Sequence, residues 1–384
     1  MANTLTNLIP DVYNALDVVS RELVGFIPAV SMDADYTRAA VGQTVRSHVA
    51  PAATAGDITP GVTPPDDGDQ TIGNTSMTIS KSRRVPVRWN GEQSLGVNNG
   101  GPGRANIMRD QFAQAMRTLV NEVETDLGAL HIAASRAYGA AGTTPFGTAD
   151  DWTGASNALK ILKDNGAPQI DNQLVIDTTA GANLLGKQAK ANTAGTDSIL
   201  RQGVLLDVHG MALRESAQVV TSTAGTGSSA TTDDTGYAVG ATTLTLASAG
   251  TGTIVAGDVI TFAGDTNKYV VASGDADVSG GGTITLAAPG LRQAIAASTT
   301  AITVVAAAAR NMAFNRSAIA LATRVPALPE EGDSAIDRDI VVDPRSGLAF
   351  EVAMYPQYRQ MQYEISIAWG VKAVKPEHIA LLLG

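Results

Sequence analysis

The chain has 384 residues, 17% of them charged and 4% aromatic, with a formal net charge of −10 and no cysteine. That length accommodates two or three domains. The missing cysteines exclude a disulfide framework, a thiolate metal site and a thiol nucleophile; the acidic balance argues against the basic footprint of a sequence-specific DNA binder, though not against enclosure of DNA. Low charge density with abundant Ala, Gly and Thr fits two kinds of chain: one that buries much of its surface against copies of itself, or an Ala-rich bacterial enzyme. Asp11, Asp17 and Glu22 interrupt the apolar residues near the start, so no signal-peptide core is expected. No apolar run approaches the roughly 20 residues that span a bilayer. A cytosolic product without a membrane partner is expected.

Residues 1–30 read as one amphipathic helix. Thr6 or Asn7 can cap it, Pro10 fits its first turn, and Val12, Leu16, Val19, Leu23 and Val24 recur at helical spacing. The stretch GFIPAV at 25–30 breaks it. Residues 31–62, rich in Ala, Pro, Gly and Thr, are expected to be extended. With little core of its own, 1–62 reads as an arm that lies on something else.

Residues 63–90 begin acidic, with Asp66, Asp67 and Asp69 around Gly68, and end basic, with Lys81, Arg83, Arg84 and Arg88. Turn chemistry clusters at 64–68. Met77 and Ile79, then Val85, Val87 and Trp89, alternate with other residues at strand period. Pro86 calls for an edge strand or a bulge. The stretch is therefore expected to be a hairpin-like arm, and a face mixing apolar residues with Lys81 and Arg83 is not expected inside the chain's own core. The basic cluster has three readings. A nucleic-acid patch is weakened by a single tryptophan and no aromatic series. A solvated edge that resists aggregation is always available. A strand that meets acids of a neighbouring copy fits best, because Asp66, Asp67 and Asp69 lie on the same arm.

The stretch 104–138 carries the clearest periodicity: Met108, Phe112, Met116, Leu119, Val123, Leu127, Leu130 and Ala134 fall on one stripe. It predicts one helix about 50 Å long, with Gly128 as a point of bending and Gly139 as C-cap. Residues 150–221 read as mixed α/β: a helix ending at Asn165-Gly166, the buried strand NQLVIDT, a second helix, and a strand pair turning at His209-Gly210. Near Ser222 the composition shifts to a linker, then to strand-like runs TTLTLA, VITFAG, NKYVVAS, GTITLAA and TAITVVA separated by Gly-rich turns. This predicts a compact all-β module, foldable alone, inserted into a domain that resumes after Ala308. The tail, 339–384, reads as strands whose middle pair forms a long antiparallel hairpin across the helical spine.

Catalytic signatures are missing. The sequence has no GxSxG elbow, GxxxxGK[ST] loop or HExxH. His48, His131, His209 and His378 are scattered without ligand spacing. Asp275, Asp277 and Ser279 resemble half a calcium loop, but Leu286 stands where the bidentate Glu belongs, so a plain turn is expected. GTGSSA and GTGTIV lack the third Gly and the following helix of a dinucleotide loop. No catalytic residue, metal site or cofactor is expected.

In this order the elements resemble the Hong Kong 97-type (HK97-like) fold of tailed-phage major capsid proteins, an α+β architecture. The stretches DITPGVTPP, IGNTSMTISKSRRVPVRWNGE, RNMAFNRSAIALATRVPALP and SGLAFEVAMYPQY, followed by YEISIAWGVKAVKPEHIALLL, resemble the coat proteins of short-tailed lambdoid Salmonella-type phages. The likeness runs over most of the chain and is weakest in 222–308. It implies an N-terminal arm (1–62), an extended β-hairpin loop (63–95) reaching over a neighbour, and a peripheral domain (96–149 and 339–384) with the spine helix. It further implies an axial domain (150–221 and 309–338) and an inserted β-barrel-like domain (222–308). The implied partners are other copies in hexamers and pentamers, a scaffolding protein, a portal at one vertex, and a decoration protein as an open case. The shell would enclose double-stranded DNA without sequence-specific binding, and would be assembled in the host cytoplasm to become the virion capsid. Some relatives crosslink a loop Lys to a neighbour's Asn; here the tip at 64–69 has no Lys, so a non-covalent shell is expected. Two other readings remain: an encapsulin-like cargo compartment of the same fold, and an α/β enzyme with an accessory β-binding module.

Overall fold

The computed structural model describes residues 24–49, 55–58, 60–63, 68–69, 71–98, 104–148, 151–187, 207–343 and 347–384. The helix expected over 1–30 lies outside them except for its end, where Ile27–Ala29 form a 3₁₀ turn. The chain then runs through β1 (Ser31–Ala39), β2 (Thr44–Val49), β3 (Gly73–Thr78), β4 (Lys81–Asn90), the short helix α1 (Gly91–Asn98), α2 (Arg104–Gly128) and β5 (Arg136–Gly139). Next come α3 (Thr153–Asp164), β6 (Asn172–Ile176), α4 (Thr178–Lys187) and β7 (Met211–Glu215). Five strands follow: β8 (Thr243–Leu246), β9 (Val259–Phe262), β10 (Lys268–Ser273), β11 (Gly282–Leu286) and β12 (Ile302–Val304). The last six are β13 (Arg310–Asn315), β14 (Ile319–Pro326), β15 (Asp337–Val342), β16 (Ala349–Gln357), β17 (Gln360–Ala373) and β18 (Ile379–Leu383).

Among the described residues, two large sheets and a two-stranded ribbon of β2 with β3 organise these elements. In the first, β17 is long enough to serve two partners on one edge. β16 pairs with its first half (Gln357 opposite Gln360, Glu351 opposite Ser366), and β14 with its second (Arg324 opposite Ala368, Ile319 opposite Ala373). β4 runs along the other edge, Trp89 opposite Met361 and Lys81 opposite Trp369. β1 joins β14 in parallel and β15 joins β16. Pro86 sits in β4, which pairs on one side only, the edge position that a residue without an N–H requires. The buried Glu351 accepts from Arg38 at 2.7 Å and faces Arg338 at 2.9 Å, fastening β1 and β15 to β16. The second sheet runs β12-β9-β10-β5-β18-β13-β6-β7, with β11 on β10 and β8 on β11. Helices α3 and α4 cover part of it: Ala155, Ala158, Leu162, Ala180 and Leu184 are buried against Leu174, Ile176, Ala313 and Leu382.

Helix α2 lies across the first sheet and supplies the main core, burying Met108, Phe112, Met116, Leu119, Val123 and Leu127. It is shorter than the periodicity predicts. The α-helix ends at Gly128, five residues of 3₁₀ helix follow, and 136–139 extend as β5. The stripe residues Leu130 and Ala134 therefore lie beyond the α-helix. A Cβ at Gly128 would stand 2.7 Å from the carbonyl oxygen of Gln218, so this end is packed on backbone. Pairing of β5 with β18 and β10 then overrides the helical preference of the sequence.

Other boundaries shift for the same reason. Among the described residues of 63–90, β3 and β4 do not pair with each other. β3 pairs with β2, Thr78 opposite Thr44 and Gly73 opposite Val49, while β4 joins β17. The run 309–338 divides: β13 belongs to the second sheet and β14 to the first, and β18 from the tail completes the second. The strands expected over 222–308 form around their own cluster of Leu244, Ile260, Phe262, Val271, Ile284 and Ile302. Their sheet is nevertheless spliced to the rest where Tyr269 and Lys268 of β10 face Arg136 and Ala137 of β5.

Candidate assembly surface

The basic residues of β4 meet acids of their own chain. Lys81 Nζ lies 2.7 Å from Asp126 Oδ1, Arg83 Nε 3.0 Å from Glu122 Oε2, and Arg84 Nη1 2.6 Å from Glu364 Oε2. The geometry follows from two periods. Residues two apart on a strand and four apart on a helix each share a face, so Lys81 and Arg83 of β4 stand opposite Asp126 and Glu122 of α2. Asp126 also accepts from the indole N–H of the buried Trp369 at 2.8 Å. Below this ladder Val87 and Trp89 are buried, and Trp89 donates to Gln111 Oε1 at 2.8 Å. The expectation that this face stays outside the chain's own core is thus corrected, because α2 supplies the acids and the apolar cover that sequence reasoning did not assign. The signal was present in the i, i+4 acids Glu122 and Asp126 on the α2 helix.

The remaining candidates lie elsewhere. Arg88 is exposed and lines an open groove of about 480 Å³ with Trp89, Gln93, Gly96 and Gln111. Asp69 is exposed, and Asp66 and Asp67 fall outside the described residues.

What leaves the body is the arm between β2 and β3. Its root is firm: Met77 and Ile79 are buried with Ala39, Ala322 and Ala368. Ile79 donates its N–H to Gln43 O at 2.9 Å, and Lys372 Nζ donates to Ser76 O at 2.7 Å. Beyond the root the described residues 55–58, 60–63, 68–69 and 71–72 are all exposed. Ile58 and Val62 are 97% and 105% exposed and Ile72 71%, so little among the described residues covers them.

His131 is buried with Nδ1 3.2 Å from Gly128 O, and burial, with Arg310 nearby, holds it below the usual imidazole range. His378 is buried too, and His209 Nε2 lies at the surface 3.0 Å from Ser156 Oγ. Asp275 and Asp277 serve turns: Asp277 N–H donates to Asp275 Oδ1 at 2.8 Å and Ser279 Oγ to Asp277 Oδ1 at 2.6 Å. Among the described residues, no group of three or more His, Asp or Glu could hold a metal ion, and no helix is long and apolar enough to cross a membrane.

No family model and no curated protein matches the sequence. Solved structures do match. One is the capsid of the cyanophage P-SCSP1u, at TM-score 0.48 and 11% identity over 92% of this chain and 86% of that one. Another is the mature capsid of bacteriophage PhiM1, at TM-score 0.45 and 12% identity over 93% and 86%. A third is a virus-like particle from Pyrococcus furiosus, at TM-score 0.45 and 9% identity over 98% of this chain and 100% of that one.

Proposed function

We propose that this chain is the major capsid (coat) protein of a tailed double-stranded DNA phage, a structural protein that self-assembles into an icosahedral shell around the genome. The observation that carries the reading is the arm. A rooted two-stranded projection that exposes Ile58, Val62 and Ile72 is incomplete in one copy and is completed by another. The order of elements supports it: an N-terminal segment, a projecting arm, a spine helix across one sheet, a second sheet and an inserted β module follow the HK97-type layout. Each arm contact is weak, and its effect comes from repetition around hexamers and pentamers.

On this reading Arg88 and the acidic tip, Asp66, Asp67 and Asp69, meet neighbouring copies. Lys81, Arg83 and Arg84 act earlier, by fixing β4 on α2 and β17. The net charge of −10 suits a wall that encloses DNA without gripping it. A scaffolding protein directs a procapsid that expands on packaging, a portal occupies one vertex, a decoration protein is an open case, and assembly takes place in the host cytoplasm. The test is a triple substitution, Ile58→Ser, Val62→Ser and Ile72→Ser. It should leave the subunit's circular dichroism and melting midpoint unchanged while abolishing particles in sedimentation. Particles of normal yield from the triple variant would remove the arm from the assembly mechanism.

A further inference from the structure

A single carboxylate joins three distant parts of the chain. Glu124 on α2 is 1% exposed. Its Oε2 accepts from the backbone N–H of Phe26 at 3.0 Å and the hydroxyl of Ser216 at 2.9 Å, and its Oε1 from the N–H of Ile27 at 2.7 Å. These backbone donors open the 3₁₀ turn of Ile27–Ala29, where helix-type N–H groups lack partners of their own. The segment is pressed close: a Cβ at Gly25 would stand 2.7 Å from Glu215 O and 2.8 Å from Ser216 Cβ. Phe26, Ile27, Ala29 and Val30 are buried in the main core.

Among the described residues, no ion pair engages Glu124. On α2, Glu122 and Asp126 are engaged with Arg83 and Lys81. On β7, Glu215 lies against Gly181 and Arg214 donates to Gln173. Arg316 donates to Pro28 O at 3.3 Å. A buried carboxylate held only by neutral donors is expensive to keep ionised.

We propose that Glu124 is a latch whose hold on residues 25–30 depends on pH, tighter when its carboxyl carries a proton and looser once it is ionised. Burial pushes the carboxyl above its ordinary range, outweighing the donors that pull it down. In the open state, with the segment lifted and the side chain in water, the carboxyl titrates at its ordinary value. A group raised in the closed state adds fully to closure below that ordinary value, and the contribution is lost as pH rises through the raised one. Alkaline conditions therefore favour lifting of the segment that leads into β1. The latch is a property of the single subunit and does not depend on the shell reading.

The test is amide hydrogen exchange at Phe26 and Ile27 in the full chain between pH 5 and 9, corrected for intrinsic exchange. The amides of Leu174 and Val175 in β6 serve as the control for global opening. Protection should fall with rising pH, up to about tenfold for each pH unit by which the pocket displaces the carboxyl, with the β6 amides unchanged. In Glu124→Gln the dependence should vanish. Ser216→Ala, which removes one donor and spares the core, should move the midpoint to higher pH and keeps the test alive if Glu124→Gln fails to fold. Wild-type protection that is flat with pH, the same slope in Glu124→Gln, or an unmoved midpoint in Ser216→Ala would overturn the proposal.

Discussion

Asp126 illustrates how one side chain can carry unequal duties. It pairs with Lys81, whose side chain is 42% exposed, and it also satisfies the indole N–H of Trp369, which is fully buried. The exposed ion pair is worth about 0.2–1 kcal/mol, whereas an orphaned buried donor costs about 1–3 kcal/mol. Asp126→Ala should therefore lower stability clearly more than Lys81→Ala in urea unfolding. Equal losses would mean that the indole finds another acceptor. Gly370 makes a comparable demand on backbone: a Cβ there would collide with the carbonyl oxygen of Thr78, where the chain passes from β3 to β4 across β17. Gly370→Ala should destabilise by about 1–3 kcal/mol, read as a lower unfolding midpoint, and an unchanged midpoint would show that this crossing is loose.

At the scale of elements, the buried stripe of α2 holds the first sheet. Phe112 is fully buried and packs edge-on against Tyr363 of β17 with ring centroids 5.8 Å apart. Phe112→Ala should cost about 3–5 kcal/mol, while Thr118→Ala on the exposed face should stay within about 0.5 kcal/mol. The stripe from Met108 to Leu127 was legible in the sequence because helical periodicity is local. So were the strands within 222–308, bounded by Gly-rich turns, and the edge position of β4, which Pro86 announces. Pairing partners were not legible. The alternation from Met77 to Trp89 is compatible with a self-paired hairpin. The partition into β3 on β2 and β4 on β17 is set by residues such as Gly370, hundreds of positions away. The helical pattern through Leu130 and Ala134 likewise gives way to β5 because β18, from the end of the chain, pairs there. For the candidate surface, the cations and the i, i+4 acids Glu122 and Asp126 were both visible, but their pairing was not, since the match of Lys81 with Asp126 exists only once the strand lies on the helix.

For the whole molecule, the proposed shell would place stability and solubility in contacts between copies, in keeping with the exposed arm and the sparse charge. The loop tip carries no Lys, and Lys81 is held by Asp126 on the body, so the shell should be non-covalent. Boiled, detergent-treated particles should then run as a single monomer band, and a ladder of multiples would show crosslinks. The most direct measurement is electron microscopy of the chain expressed in a bacterium, alone and together with the gene beside its own. Closed shells of uniform diameter are the predicted result. Monomers or small discrete oligomers under both conditions would contradict the capsid reading, and would turn attention to the second sheet and its helices as a ligand-binding domain.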